Sequence, residues 1–484
     1  MGLRRALLIT FALLLVAAPA AHAARRMEVA ISDEDAMVNG SAGNALQAYQ
    51  TAQSLNATRM RILVQWSRVS DALQSSPSAS PDYNWGPIDN AVDAAAVYGM
   101  RTQLDLTGPA PNYGAGVYKG LRILKPSPSL YADFVKAAAE HFKGRVDRYS
   151  IWNEPNYPAW IAPQSQSPKI YRALYTAGYA AVKSVDPRAQ VLIGETVPYG
   201  GRQKGKTLGL ATPPLAWLRG VACVNARYHR IGGCTPLKAD GYAHHPYEFT
   251  TAPTTRSFPG ADNAPIQTLG RLRTALKKLA RAHALSTSSG RPLDIYLTES
   301  GYFVTGRRRI AAPKRARWLP EQFQVAARQP GVREMLQYNV FVPTTTTFTT
   351  GLFTLAGAPL PEYKTLLSWT QGAAKKGLIK RNTGPIVLPP RPGGTTVSGS
   401  GSGSGTGSGS GSGSAPGGAG GGGNPSGDGG GSTGSGSSTG SGGGTSSGGG
   451  SAAPPAPGGG GSTTTPSPPA PSCQVMIGTI CVVP

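Results

Sequence analysis

The sequence predicts an α/β fold: a (β/α)8 TIM barrel followed by a disordered Gly/Ser-rich C-terminal tail. Three observations predict it. Strand-like and helix-like segments alternate through about 365 residues, enough for one large barrel. They form eight βα pairs with no internal repeat. Two glutamates, Glu154 and Glu299, each follow a short apolar strand-like run, where a parallel barrel carries its functional rim.

The elements read in order. Residues 27–31 form the first strand and 43–55 the first helix. The second pair is 60–65 and 87–98. The third strand is 102–106, and its helix at 130–142 has apolar residues at 130, 134, 135, 138 and 142, a helical period. The fourth strand, 148–152, leads to Glu154; its helix, 168–185, is stopped by Asp186-Pro187. The fifth pair is 191–194 and 215–221, and the sixth 240–243 and 266–283. The seventh strand, 294–298, ends at Glu299 and precedes a helix at 320–328. The eighth pair is 335–341 and 363–369. This alternation argues for a parallel sheet with right-handed crossovers. A doubly wound fold would carry a Gly-rich phosphate loop after its first strand, and none is present.

The chain divides into four parts. Residues 1–23 read as a secretory signal peptide: Arg4 and Arg5, an apolar stretch, then Ala21-His22-Ala23 at the cleavage site. The apolar run is too short to span a bilayer, and no other long one follows, so no transmembrane segment is expected in the mature chain. Residues 24–385 are the barrel. Residues 393–472 are Gly, Ser, Thr, Pro and Ala with a single charge, Asp428. Such a segment buries too little to offset its ordering entropy and reads as a tether with a reach of roughly 50 Å. Residues 473–484 form a short apolar segment with a cysteine near each end. The expected location is extracellular, with cell-surface association through the tail as a further reading.

The formal charge is +23. It suits an acidic partner such as an acidic glycan; arginine usage on solvated helix faces is the plainer reading. No nucleic-acid-binding motif accompanies the charge, which sets nucleic acid aside. Cys223 and Cys234 form one close pair and Cys473 and Cys481 another, so two local disulfides are expected in an exported chain. Neither pair has zinc-like spacing, and no metal or other cofactor is expected.

The chemistry lies in two strings, Ile151-Trp152-Asn153-Glu154-Pro155-Asn156 and Tyr296-Leu297-Thr298-Glu299-Ser300-Gly301-Tyr302. Two carboxylates on one barrel rim are what hydrolysis of a glycosidic bond needs. One gives a proton to the leaving oxygen; the other attacks the anomeric carbon or activates water. Asn153 beside the acid suits a donor to the sugar 2-hydroxyl. Trp152, Tyr157 and Trp160 are candidate sugar contacts. Arg61, alone among Ile, Leu and Val, calls for a partner.

These strings resemble clan A glycoside hydrolases, in particular the family 5 cellulase and family 39 β-xylosidase/α-iduronidase types. Trp-Asn-Glu-Pro is similar to the clan's acid/base signature and Thr-Glu-Ser-Gly-Tyr to its nucleophile strand. Thr107-Gly108-Pro109-Ala110-Pro111-Asn112 resembles the family 39 side. The resemblance implies Glu154 as acid/base, Glu299 as nucleophile, Arg61 and Tyr247 in contact with that nucleophile, and His245 in the same site. It implies a retaining glycosidase that needs no cofactor. The chain departs from the pattern after strand eight, where Tyr338-Asn339-Val340-Phe341 has no tryptophan and Phe341 is the candidate replacement for the sugar floor. A transglycosylase would use the same residues. A non-catalytic glycan-binding surface protein would suit the tether and the basic face.

Overall fold

The computed structural model describes residues 26–40, 42–70, 82–118, 121–201, 210–255, 260–343 and 348–392, and two short strands, Met476–Ile477 and Ile480–Cys481. The expected signal peptide, the tether, Cys473 and the Cys481 side chain lie outside the described residues. Eight parallel strands close into a barrel: β1 (Glu28–Ser32), β2 (Ala57–Gln65), β3 (Arg101–Thr107), β4 (Arg148–Ile151), β5 (Gln190–Thr196), β6 (Gly241–His244), β7 (Ile295–Leu297) and β8 (Val332–Tyr338). Each is followed by a helix: α1 (Ala42–Ser54), α2 (Gly86–Val97), α3 (Pro128–His141), α4 (Ser167–Val185), α5 (Pro214–Val221), α6 (Leu269–Arg281), α7 (Ala312–Arg328) and α8 (Pro361–Lys375). The TIM barrel expected from the alternation is the fold observed.

Strand alternation decides what fills the barrel. Along β2, Met60, Ile62 and Val64 join the apolar core, as do Leu104 and Leu106 of β3 and Tyr149 and Ile151 of β4. Successive strand residues point to opposite faces, so Arg59, Arg61, Gln103, Asp105, Arg148 and Ser150 share the other face. They are all buried. A buried charge needs a partner. At one end Glu28 forms ion pairs with Arg148 at 2.9 Å and with Arg59 at 3.6 Å, while Arg148 also pairs with Glu334. At the other end Arg61 organises the site described below.

Several elements differ by a few residues from their expected bounds, and the differences in three of them are informative. The helix expected at 320–328 begins at Ala312 and contains Pro320. A proline there usually ends a helix, but the buried stripe of Arg315, Trp318, Leu319, Gln322, Phe323 and Ala326 runs through it. Arg315 also ties α7 to α8 through Glu362 at 2.6 Å. The eighth strand, expected to reach 341, ends at Tyr338, because the N–H groups of Val340 and Phe341 turn to Asp33 Oδ2, each at 2.9 Å. The last helix extends on both sides of 363–369. A hairpin at Ala115–Tyr118 and Leu121–Pro126 was not anticipated.

Cys223 and Cys234 form a disulfide, with Cα atoms 6.2 Å apart, between α5 and β6. Among the described residues no helix is long and apolar enough to cross a membrane.

Candidate active site

The loop after β4 is held in an unusual backbone conformation. Trp152 has φ 65° and Glu154 φ 39°, and Glu195 at the end of β5 has φ 50°. Such left-handed residues cost about 1–3 kcal/mol each and persist where their surroundings over-determine them. Here the surroundings do so. The Glu154 N–H donates to the Glu195 carbonyl at 2.9 Å, and the Asn153 N–H to Thr107 Oγ1 at 2.8 Å. The Trp152 indole is sealed beneath the loop, edge-on to Tyr131 at 5.4 Å, and donates to the Trp160 carbonyl at 3.1 Å. Gly108 is needed here, since a Cβ on it would stand 2.6 Å from that indole.

The two rim glutamates face each other across His245. Glu299 accepts from Arg61 Nη1 at 3.0 Å and from the Tyr247 hydroxyl at 3.1 Å. Glu154 accepts from His245 Nδ1 at 2.9 Å and from Trp160 Nε1 at 3.2 Å. His245 Nδ1 is 3.6 Å from Glu299, and its Nε2 lies 2.9 Å from Glu195 Oε2. One polar atom each of Glu154, His245 and Glu299 all lie within 4.8 Å of one another. Arg61 Nη2 reaches Asp105 at 2.7 Å, Asn153 Oδ1 at 2.9 Å and Glu195 at 3.4 Å. Gln103 and Thr298 also donate to Glu195.

Both ring nitrogens of His245 face carboxylate oxygens, which only accept. An imidazole satisfies that arrangement by carrying both protons. Burial opposes the charge, but Glu299, Glu154 and Glu195 outweigh it and hold the imidazolium up to about 10. Glu154, His245 and Glu299 are also three metal-ligand-type side chains brought to one point. Burial also pushes Glu195 up, yet Arg61 and His245 overcome it and hold the carboxyl down at about 2. Asp105 goes the other way: burial raises it well above the ordinary range, and the nearby Glu195 and Glu299 add to the effect of burial. For Glu299, burial raises the carboxyl, and His245 and Arg61 only partly offset it. Neighbouring His244 is drawn down to about 4 by burial and sits between Thr196 and the Ala264 carbonyl.

Of the residues singled out in the sequence, Glu154, Glu299, Asn153, Arg61, His245, Tyr247 and Trp160 come together in this network. Tyr157 lies half-buried within electrostatic range of Glu154. Trp152 does not face a sugar. Its exposure is 0%, so it supports the loop instead. Phe341 does not line the site either; it packs in the core against Phe353 at 6.0 Å. The aromatic group at this position is the half-buried Tyr338, whose phenol feels Glu299. Arg61, His245 and Tyr247 are buried and act on carboxylates rather than presenting a free surface to a ligand. Sequence reading missed Glu195, Asp105, Gln103 and Tyr338. A faint signal was available for two of them: Glu195 ends the fifth apolar run, and Asp105 interrupts Leu104 and Leu106.

The fold is similar to that of a family 39 glycoside hydrolase from Bacteroides cellulosilyticus. Identity is 17%, the TM-score is 0.50, and the match covers 72% of this chain and 64% of that one. An exo-β-1,4-mannosidase from an Opitutaceae bacterium is similar at 16% identity and a TM-score of 0.47, covering 74% of this chain and 61% of the mannosidase. A monomeric β-xylosidase from Caulobacter crescentus is similar at 17% and 0.47, covering 71% and 67%. The chain thus spans less than two thirds of the length of the first two. No protein-family model matches the sequence, and no curated protein does.

Proposed function

We propose that this chain is a secreted retaining glycoside hydrolase acting on an oligosaccharide or polysaccharide, with Glu299 as nucleophile and Glu154 as acid/base. The observation that carries the reading is the approach of the Glu154 and Glu299 oxygens to within 4.8 Å. Retaining enzymes hold their carboxyl groups about 5–5.5 Å apart, whereas inverting ones leave about 6.5–9.5 Å for a water.

The geometry suits double displacement. Glu299 attacks the anomeric carbon and the carbon–oxygen bond to the leaving group breaks. Protonated Glu154 gives its proton to that oxygen. In the second step Glu154 takes a proton from water, whose oxygen bonds the anomeric carbon and releases Glu299. The positive charge that develops at the sugar ring favours ionised Glu299 at the moment of attack, countering its burial. Arg61 and Tyr247 aim its two oxygens. His245 keeps one positive charge between two reacting carboxylates. Asn153, whose Oδ1 accepts from Arg61, serves as the donor to a sugar hydroxyl in this reading. Export is supported by the leader-like residues 1–23 and by the disulfide.

The test is turnover of a panel of neutral and acidic glycans and aryl glycosides by wild type, Glu154→Gln and Glu299→Ala. Product stereochemistry is followed by NMR. Turnover with retention that both substitutions abolish is the expected result. Inversion, or activity surviving Glu299→Ala, overturns the mechanism. Glycan binding with no turnover on any substrate points to the non-catalytic reading, and transfer products in place of reducing sugar point to transglycosylation.

A further inference from the structure

An aromatic cluster flanks the nucleophile. Tyr247, which donates to Glu299, stacks on Phe249 with ring centroids 5.1 Å apart and planes 5° from parallel. Phe303 lies 5.7 Å from Phe249, and Tyr199 meets Phe249 edge-on at 5.4 Å. Over this cluster sits the guanidinium of Arg308, with Cζ 4.4 Å from the Phe249 centroid and 5.7 Å from that of Phe303.

The two phenylalanines are buried and Arg308 is exposed. Ring faces attract a guanidinium and fix where it stands. Among the described residues no carboxylate forms an ion pair with Arg308. Arg308 donates toward the Tyr199 phenol oxygen, and Tyr157 feels its charge; both phenols also feel Glu154. The cation thus stands one aromatic layer out from Tyr247, whose hydroxyl donates to Glu299, and carries N–H donors suited to a planar or tetrahedral anion. Arg307 and Arg309 are exposed alongside, and the whole chain is strongly basic, which draws anions toward the region.

We propose that Arg308 is the specificity-determining residue of an anion subsite, and that the preferred glycan carries a carboxylate or sulfate on a sugar next to the bond cleaved. This rests on the hydrolase reading above. It adds to that reading a substrate class and the residue that selects it.

The experiment compares matched oligosaccharides: neutral, uronate-bearing, the methyl ester of that uronate, and sulfated. Wild type, Arg308→Gln, Arg308→Lys and Phe249→Leu are assayed, and the ratio of acidic to neutral kcat/KM is read. Wild type is expected to favour one acidic member by about tenfold, the scale of one hydrogen bond to a charged group. Arg308→Gln brings the ratio close to one, Arg308→Lys keeps part of it, and Phe249→Leu weakens it by freeing the guanidinium. Loss of preference on methyl esterification assigns the carboxylate; preference for the sulfated member alone assigns sulfate. A ratio unchanged in Arg308→Gln, or no acidic preference in wild type, overturns the subsite. If nothing is turned over, the hydrolase reading fails separately, and the same ratio is read from Kd by calorimetry. Acid-selective binding that Arg308→Gln removes sustains the subsite, and equal binding overturns it.

Discussion

His245 and Glu195 share a hydrogen bond of 2.9 Å between Nε2 and Oε2, with both side chains fully buried. It joins the loop after β6 to the end of β5. Through it, a carboxylate that touches neither reacting glutamate joins Glu299 and Glu154 in holding the charge on the residue between them.

Glu195→Gln keeps the shape of this contact and removes its charge. His245 then holds its proton less tightly. The alkaline limb of the kcat/KM profile is expected to move to lower pH, with activity reduced about tenfold at neutral pH. A pH–rate series checks it; a limb that stays in place means that Glu195 does not set the proton on His245. Glu195→Ala strands Arg61 and His245 as well, and should cost about 3–5 kcal/mol of stability.

The same pair makes stability depend on pH in two windows. His245 is raised in the fold from 6.5 to about 10. Its contribution is complete below about pH 6.5 and is lost as pH rises toward 10. Glu195 is lowered from 4.5 to about 2, so its contribution is complete above about pH 4.5 and is lost as pH falls toward 2. Melting temperature against pH should fall on both sides of that plateau. In His245→Gln the decline between pH 6.5 and 10 should flatten. A wild-type alkaline limb that persists unchanged in the variant contradicts this assignment.

The two tryptophans near the acid should separate cleanly. Trp152→Ala empties a fully buried site and should cost about 3–5 kcal/mol, seen as a lower melting temperature with KM little changed. Trp160→Phe keeps a ring and removes the donor to Glu154. It should lower kcat about tenfold with a small change in stability. Equal loss of KM in both variants would return Trp152 to the substrate.

The Cys223–Cys234 bridge closes a loop of separation 11. Replacing both with serine should cost roughly 2–3 kcal/mol, a fall in melting temperature of a few degrees, with kcat unchanged. A calorimetric melt beside a rate measurement checks both halves.

The barrel was legible because its signals are local. Helical period at 130–142, the stop at Asp186-Pro187 and short apolar runs ahead of Glu154 and Glu299 are each written within a few residues. Where local signals conflicted, the reading erred. Pro320 suggested a helix start but is carried inside α7 by a stripe of side chains packed on the barrel. The eighth strand was drawn too late because Asp33, three hundred residues away, takes the N–H groups that would have continued it.

What the sequence by itself determined is the order of eight βα units and the candidacy of Glu154 and Glu299, since periodicity and strand-end position depend on near neighbours. Only the tertiary structure decided the surroundings of those glutamates. Closure of the barrel brings Glu195 to Arg61 across 134 positions and to His245 across 50. It buries Trp152, leaves Trp160 on the acid, and holds Arg308 against Phe249. Charge state and burial follow from which groups meet in space, and a buried group's proton is set by neighbours that the chain order keeps far apart.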